Sequence, residues 1–473
     1  MLPSPLQDRF RDMLGPKGWL DAPDSLEPFV TEWRGFWRGS CCGVALPENT
    51  EQVAAIVRLC AGTGTSIVPH GGNTGLVGGG VPDGGIVLST RRMNKIRDVD
   101  IANHTMTVDA GCILADIQAR ATEAGLFFPL SLGAEGTCQI GGNLSTNAGG
   151  VAVLRYGNAR DLALGLEVVL PSGEVWDGMK GLRKDNAGYD LKHLFIGAEG
   201  TLGVITGAVL KLYPAPKSHQ TALVALPTIP AALELLGLLQ RAGGDSLTAF
   251  ELINQTAMQL VSTHIPDARN PFAESHACYV LAELTSPRED DNLRAIMETC
   301  FGAALENGII ADAVIAESAG QAANLWRLRE SIPEAQVIEG ASIKHDISVA
   351  VSKTPDFIRI ADEQINATLP GTRIVAFGHL GDGNIHYNLT LPEDCKSADG
   401  QQVFMGRWDT FNRLVHDIAV KMGGSFSAEH GIGQLKRDDL GRYASPIEIS
   451  MMRGVKAAMD PDGIMNPGKV IPD

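Results

Sequence analysis

The sequence predicts an α+β protein of two or more domains, and three observations carry that prediction. The chain has 473 residues, more than a single hydrophobic core usually supports. Glycine supplies 54 of them, well above its usual ~7% share, and it is gathered into short loops between strand-like runs. Beyond Pro216 the texture changes to strands of about six residues alternating with longer helices. Lys and Arg number 39 against 55 Asp and Glu, a net charge of −16, and no basic run occurs, which excludes a nucleic-acid partner. At 44% hydrophobic and 20% charged the composition is that of a soluble globular protein. The eight cysteines form no C-x-x-C pair and read as reduced, buried thiols. The first twenty residues mix Asp, Arg, Lys and Pro with apolar residues, unlike a signal or transit sequence, and no run of eighteen apolar residues offers a membrane span. These features predict a cytoplasmic protein.

In chain order, Asn49 precedes a helix whose Val53, Ile56, Val57 and Cys60 share one face. A strand over 66–69 leads into the loop His70-Gly71-Gly72-Asn73-Thr74-Gly75, which runs on to Gly80. Strands at 86–89 and 105–109 and a helix over 113–124 complete one α+β unit. After a second glycine-rich stretch, 132–150, Pro171-Ser172-Gly173 has the turn chemistry to join strands 164–170 and 174–177 into a hairpin. A third stretch, 196–203, opens an apolar strand that ends near Pro214 and Pro216. Further strands are expected at 221–225, 277–284, 343–349, 373–378 and 385–391, with helices over 231–241, 288–307 and 355–369. One long helix is expected over 401–422, because Phe404, Trp408, Phe411, Val415, Ile418 and Met422 step along one face. The last fifty residues are glycine-rich again. The chain is accordingly divided into 1–216, 217–422 and a segment 423–473 that returns to the first domain.

Glycine amides can converge on an anion because no Cβ blocks the approach, so three such loops point to a phosphate-bearing ligand held by several of them. Neither a phosphate loop ending in Lys-Ser/Thr nor a helix-opening G-x-G-x-x-G is present. In Gly378-His379-Leu380-Gly381-Asp382-Gly383-Asn384-Ile385-His386 the two histidines must meet through a turn between strands. His386, Asn388 and Thr390 then share one face, opposite Tyr387, Leu389 and Leu391. With Glu429, the two imidazoles make a donor set suited to zinc that keeps an open position, and His430 beside it suits proton transfer. A structural Glu–His pair is the competing explanation. Arg327, Arg329 and Lys344 are the cations an acidic protein would need to hold a carboxylate substrate.

Six motifs in order, Pro69-His70-Gly71-Gly72-Asn73-Thr74-Gly75, Gly141-Gly142-Asn143 with Asn147-Ala148-Gly149-Gly150, Gly197 to Gly203, Gly378-His379 to His386, Ala428-Glu429-His430-Gly431 and Asn466-Pro467-Gly468-Lys469, cover nearly the whole chain. The series resembles the flavin-dependent D-2-hydroxyacid dehydrogenases, a branch of the vanillyl-alcohol oxidase and p-cresol methylhydroxylase superfamily that includes D-lactate and D-2-hydroxyglutarate dehydrogenases. The resemblance implies a two-lobed FAD-binding domain, a ferredoxin-like α/β cap domain and a C-terminal segment that completes the active site. It implies FAD contacts at Pro69 to Gly75, Gly136, Thr137, Gly141, Gly142, Asn143, Thr146, Asn147, Glu199, Gly200, Gly203, Ile205 and Asn466. His379, His386 and Glu429 become zinc ligands, His430 the general base, Asn388 a substrate contact, and Arg329 and Lys344 carboxylate anchors. An electron-transfer flavoprotein, quinone or cytochrome would reoxidise the flavin, and members often form homodimers. Pro333, four residues after Arg329, stands where a hydroxyl residue can contact a distal carboxylate, so the preference for D-2-hydroxyglutarate over D-lactate is a narrow one. An oxygen-using oxidase stays open, as does covalent attachment of FAD at His70. A colourless zinc-dependent hydrolase and a noncatalytic nucleotide binder are the readings from other classes.

Overall fold

The computed structural model describes residues 4–472. The chain folds as two compact units, 1–149 with 157–215 and 429–473, and 150–156 with 216–428. The divisions expected from the sequence stand at 216/217 and 422/423.

The first unit holds two main sheets. Strands β1 (Trp19–Leu20), β2 (Val44–Ala45), β3 (Ile67–His70) and β4 (Ile86–Ser89) lie in the order β1-β2-β4-β3, with β4 parallel to both β2 and β3. The helix Thr50–Ala61 begins where Asn49 caps it by accepting a hydrogen bond from Gln52 N, and it buries Val53, Ile56, Val57 and Cys60. The second sheet is antiparallel: β5 (Ile96–Asp100), β6 (Thr105–Asp109), β8 (Ala163–Val169), β9 (Val175–Gly178) and β10 (Val204–Lys211), in the order β5-β6-β10-β8-β9. Strand β7 (Leu126–Phe127) pairs with β11 (Tyr213–Pro214). The C-terminal segment joins the first sheet. Ile67 N donates to Ile464 O, Asn466 N donates to Ile67 O, and Ile464 and Met465 lie in the same core as Ile56 and Leu88.

The second unit is one antiparallel sheet covered by helices. Strands β12 (Ser218–Leu226), β13 (Leu247–Asn254), β14 (Cys278–Ser286), β15 (Asp312–Ile315), β16 (Ser342–Ile343), β18 (Arg373–His379) and β19 (Asn384–Thr390) follow the order β15-β12-β14-β13-β18-β19-β16, and β17 (Asp346–Ser348) also pairs with β19. Both faces are covered, with Leu252, Val280 and Tyr387 in one core and Ile253, Tyr279 and Phe377 in the other. Burial on both faces explains why β13 shows no alternation in the sequence, with the consecutive apolar pairs Ala249-Phe250 and Leu252-Ile253 on either side of Glu251.

Two expected elements are interrupted. The helix over 401–422 is two helices, Ala398–Met405 and Trp408–Lys421, broken at Gly406. Glycine costs about 1 kcal/mol in a helix interior, and the break lets Phe404 and Phe411 meet in one core with ring centroids 6.0 Å apart. The strand over 343–349 is split at Lys344–His345, because His345 N donates to the Asn388 side chain (3.1 Å) instead of a ladder carbonyl. Helices at Gln255–His264, Ala319–Glu330, Ile332–Glu339, Arg437–Tyr443 and Pro446–Met459 are additional to those the sequence predicts.

Candidate active site

In the first unit the glycine loops are packed so closely that two glycines are obligatory. A Cβ on Gly72 would lie 2.2 Å from Thr137 O, and one on Gly141 would lie 2.7 Å from the Ala110 Cβ. At Gly75, Gly136 and Gly142 the opposite holds, since a Cβ would meet no protein atom. These three leave room that the protein does not fill. Seven described non-glycine residues have positive φ, and four of them are expected cofactor residues: Asn73, Asn147, Glu199 and Asn466. Such left-handed backbone is costly and gathers at ligand clamps.

Beside these loops lies a cavity of about 600 Å³, lined in part by His70, Gly71, Gly72, Asn73 and Thr137. His70 closes β3 and is buried, and neither of its ring nitrogens makes a hydrogen bond of good geometry; burial, opposed by the neighbouring Gly71 and Asn73 and helped by the charge of Arg91, pulls its pKa down to about 4. Asn143 Oδ1 and Asn466 Oδ1 are likewise buried without partners. Orphaned polar atoms of this kind cost about 1–3 kcal/mol each unless a bound group satisfies them. Together with the room at the glycines, they fit a large polar cofactor.

The remaining expected contacts of this unit have partners within the protein. Glu199 clasps the C-terminal segment, accepting from Ile432 N (2.7 Å) and Gly433 N (2.8 Å). Burial raises its pKa, opposed by these two bonds. Asn466 donates to Gly79 O and Glu199 O. Thr146 Oγ1 donates to Gly142 O, Asn147 Oδ1 accepts from Arg160 N, Gly200 abuts Pro69, and Gly203 and Ile205 sit where β10 meets β8. A Cβ on Gly149 would lie 2.7 Å from Glu429 Oε1. Glu429 and His430 occupy irregular chain that follows Ala428.

In the second unit, β18 and β19 form the hairpin that its glycines foretell, with Gly378 at φ 143° and Gly383 at φ 87°. His379 and His386 meet edge to face, with ring centroids 5.8 Å apart. Asp346 on β17 lies 3.8 Å from His386 Nδ1. Glu251, wholly buried on β13, accepts from His379 Nδ1 (2.7 Å) and from Arg329 Nε (2.8 Å). Burial would raise the Glu251 pKa, yet the charges of His379 and Arg329 outweigh it and hold it at about 2. Arg329 is itself buried, its guanidinium 4.8 Å above the Phe377 ring. A carboxylate on the far nitrogen of a histidine is the usual support for a metal ligand, and coordination by His379 would then fall to Nε2. The polar face of β19 is buried rather than open: Asn388 donates to Gln336 Oε1 (2.9 Å) and accepts from His345 N. Lys344 is exposed, and Arg327 donates to Pro266 O. Pro333 stands in the first turn of the helix Ile332–Glu339.

Two features escaped sequence reasoning. One is Glu251, whose signal was a single carboxylate inside the apolar run Phe250-Glu251-Leu252-Ile253. The other is residues 31–38, where buried Glu32 pairs with Arg34 Nε (2.6 Å) and accepts from Arg34 N, while Trp33 and Arg34 line the cavity. The repeated Trp-Arg-Gly of that segment was its mark.

Residues 215–470 match the family model described as FAD linked oxidases, C-terminal domain, and residues 42–178 match an FAD binding domain. The chain is 37% identical to the mitochondrial D-2-hydroxyglutarate dehydrogenase of Arabidopsis thaliana, over 98% of this chain and 81% of that one. It is 39% identical to the D-2-hydroxyglutarate dehydrogenase of Xanthomonas citri pv. viticola, over 95% of this chain and 93% of that one. Among solved structures, p-cresol methylhydroxylase with substrate bound superposes with a TM-score of 0.77 at 18% identity, over 99% of this chain and 96% of that one. An alkyldihydroxyacetonephosphate synthase gives 0.74 at 19% identity, over 99% and 85%. Those two likenesses concern the fold.

Proposed function

Because the chain belongs to the FAD-dependent D-2-hydroxyacid dehydrogenase family, we propose that it oxidises a dicarboxylic D-2-hydroxy acid, D-2-hydroxyglutarate foremost, to the 2-oxo acid, using FAD and a zinc ion. The flavin, when bound, supplies the acceptor for the C2 hydride. Zinc, when bound, supplies a Lewis acid that lowers the pKa of the substrate hydroxyl. His379, His386 and Glu429 are the proposed ligands, two imidazoles and a carboxylate that suit zinc, and Asp346 is a further carboxylate beside His386. Chain connectivity supports this reading, since Ala428 N donates to Asp346 O and Glu429 is the next residue.

In this mechanism His430 accepts the hydroxyl proton as C2 gives up its hydride. Arg329 and Lys344 take the substrate carboxylates, and Asn388 stiffens the β19 wall and contacts the substrate. The observation that carries the reading is the pair of neighbouring imidazoles on one hairpin, one of them backed by a buried carboxylate. Pro333 lacks a hydroxyl to offer a distal carboxylate, so D-lactate is the alternative substrate. An electron-transfer flavoprotein, a quinone or a cytochrome is the proposed oxidant, in the cytoplasm, with the protein as a homodimer. No helix among the described residues is long and apolar enough to cross a membrane.

An anaerobic titration tests the proposal. D-2-hydroxyglutarate should bleach the flavin absorbance of the purified protein and L-2-hydroxyglutarate should not. Treatment with a chelator should abolish bleaching, and added zinc should restore it. Bleaching by the L-acid alone, or full activity in metal-free protein, would overturn it.

A further inference from the structure

The buried Glu251 joins two groups to which the proposed mechanism gives separate tasks. One carboxylate oxygen accepts from His379 Nδ1 at 2.7 Å and the other from Arg329 Nε at 2.8 Å. Glu251 is 1% exposed, and β13 brings it to this place through pairing of Glu251 with His379 and of Ile253 with Phe377. Phe377 in turn lies beneath the Arg329 guanidinium. The strand pairing that sets His379 thus also sets the platform for Arg329.

We propose that Glu251 is a positioning residue that fixes the His379 tautomer and ring orientation for metal binding and, through its second oxygen, the aim of Arg329 at the substrate carboxylate. The inference rests on the reading given under Proposed function. Its physical basis is that a carboxylate can accept two hydrogen bonds at once, one per oxygen, whereas an amide of the same shape presents one acceptor and one donor. Arg329 can only donate, so a glutamine at 251 would turn its oxygen to Arg329 and its NH2 to His379. Nδ1 would then have to accept, the imidazole proton would move to Nε2, and the nitrogen left for a metal would be blocked. Turning the amide the other way restores His379 and sets an NH2 against the Arg329 guanidinium. No orientation of Gln serves both partners.

The test compares wild type with Glu251→Gln and Glu251→Asp, all loaded with FAD. Zinc affinity is read by chelator competition, KM and kcat by anaerobic reduction with D-2-hydroxyglutarate, and the His379 tautomer by imidazole nitrogen NMR on zinc-free protein. Glu251→Gln should keep wild-type flavin content, bind zinc about 10–100-fold more weakly and raise KM. Read at a pH where the His379 ring is neutral, its one ring proton should sit on Nδ1 in wild type and leave it in the variant. Glu251→Asp, one methylene shorter, should recover one of the two effects at most. Wild-type zinc affinity and KM in Glu251→Gln would overturn the inference, as would an unchanged tautomer.

If the single variant fails to fold, Glu251→Leu/Arg329→Met, in which residue 251 offers no acceptor to His379, is compared with Arg329→Met, since losing both members of a buried pair is tolerated better than losing one. Equal zinc affinity in those two proteins would equally overturn it. A wild-type protein that neither holds zinc nor is bleached by D-2-hydroxyglutarate would instead sink the functional reading, and the NMR result would still decide whether Glu251 sets the tautomer.

Discussion

At the scale of single residues, two histidines carry distinct assignments. His430, as proton acceptor, predicts that His430→Ala retains flavin and zinc while turnover falls by about 10²–10⁴-fold, the usual contribution of a general base. Stopped-flow reduction of the metal- and flavin-loaded variant checks it, and a near-native rate would remove His430 from the mechanism. His70 makes a prediction of another kind. Its pKa is about 4 in the folded protein and near 6.5 unfolded. The unfolded chain therefore binds the extra proton first, and stability falls as pH drops from 6.5 to 4, by about 3 kcal/mol, then levels off. Denaturant unfolding across that range should show His70→Gln losing less stability than wild type; parallel curves would refute the assignment. These histidines and the glycine loops were legible because their chemistry is rare and their spacing fixed. Glu251 was not, because the sequence does not reveal which buried donors a lone carboxylate will meet.

At the scale of elements, the second unit is tied by another buried carboxylate. Glu339 ends the helix Ile332–Glu339 and pairs with His264 (2.5 Å), Arg373 (2.6 Å) and Lys396 (2.7 Å), which come from the helix Gln255–His264, the start of β18 and the chain after β19. Burial raises the pKa of the carboxylate, but hydrogen bonds from Lys396 and His264 and the ion pair with Arg373 bring it to about 2. Glu339→Gln should cost about 1–3 kcal/mol, because Arg373 and Lys396 keep a second, exposed partner in Glu393. A thermal melt at pH 7 reads the loss, and an unchanged midpoint would show the cluster to be energetically idle. Most strands that alternate or end in turn residues were legible to within a residue or two, as 86–89 and 105–109 show. The exceptions share a cause. Where Gly406 interrupts a continuous apolar stripe, or an Asn388 side chain replaces a ladder bond, tertiary contacts decide the local structure, and periodicity does not register them.

At the scale of the whole molecule, the chain leaves its first unit and returns to it. Residues 429–473 contribute Ile464 and Met465 to the core around β3, and the backbone amides of Ile432 and Gly433 to Glu199. Residues 150–156 cross the other way, and nothing in their composition marks the crossing. A chain ending at residue 428 should therefore expose the β3 edge, strip the Glu199 carboxylate of its two amide donors, and retain no flavin. Residues 216–428 make a different case. They carry all eight strands of the second sheet, and the fragment lacks only the 150–156 segment, chiefly Leu154 on the core and the Arg155 bonds to Thr285. Losing one partly buried leucine costs about 1–3 kcal/mol, a fraction of the 5–15 kcal/mol that domains of this kind possess. Expressed alone, 216–428 should be colourless and should unfold in one cooperative transition at a lower midpoint than this unit shows in the full chain. Absorbance at the flavin bands and a circular-dichroism melt decide the matter: a yellow 216–428 fragment would move the cofactor to the second unit, and a fragment without a cooperative transition would mean that its sheet depends on the rest of the chain to fold.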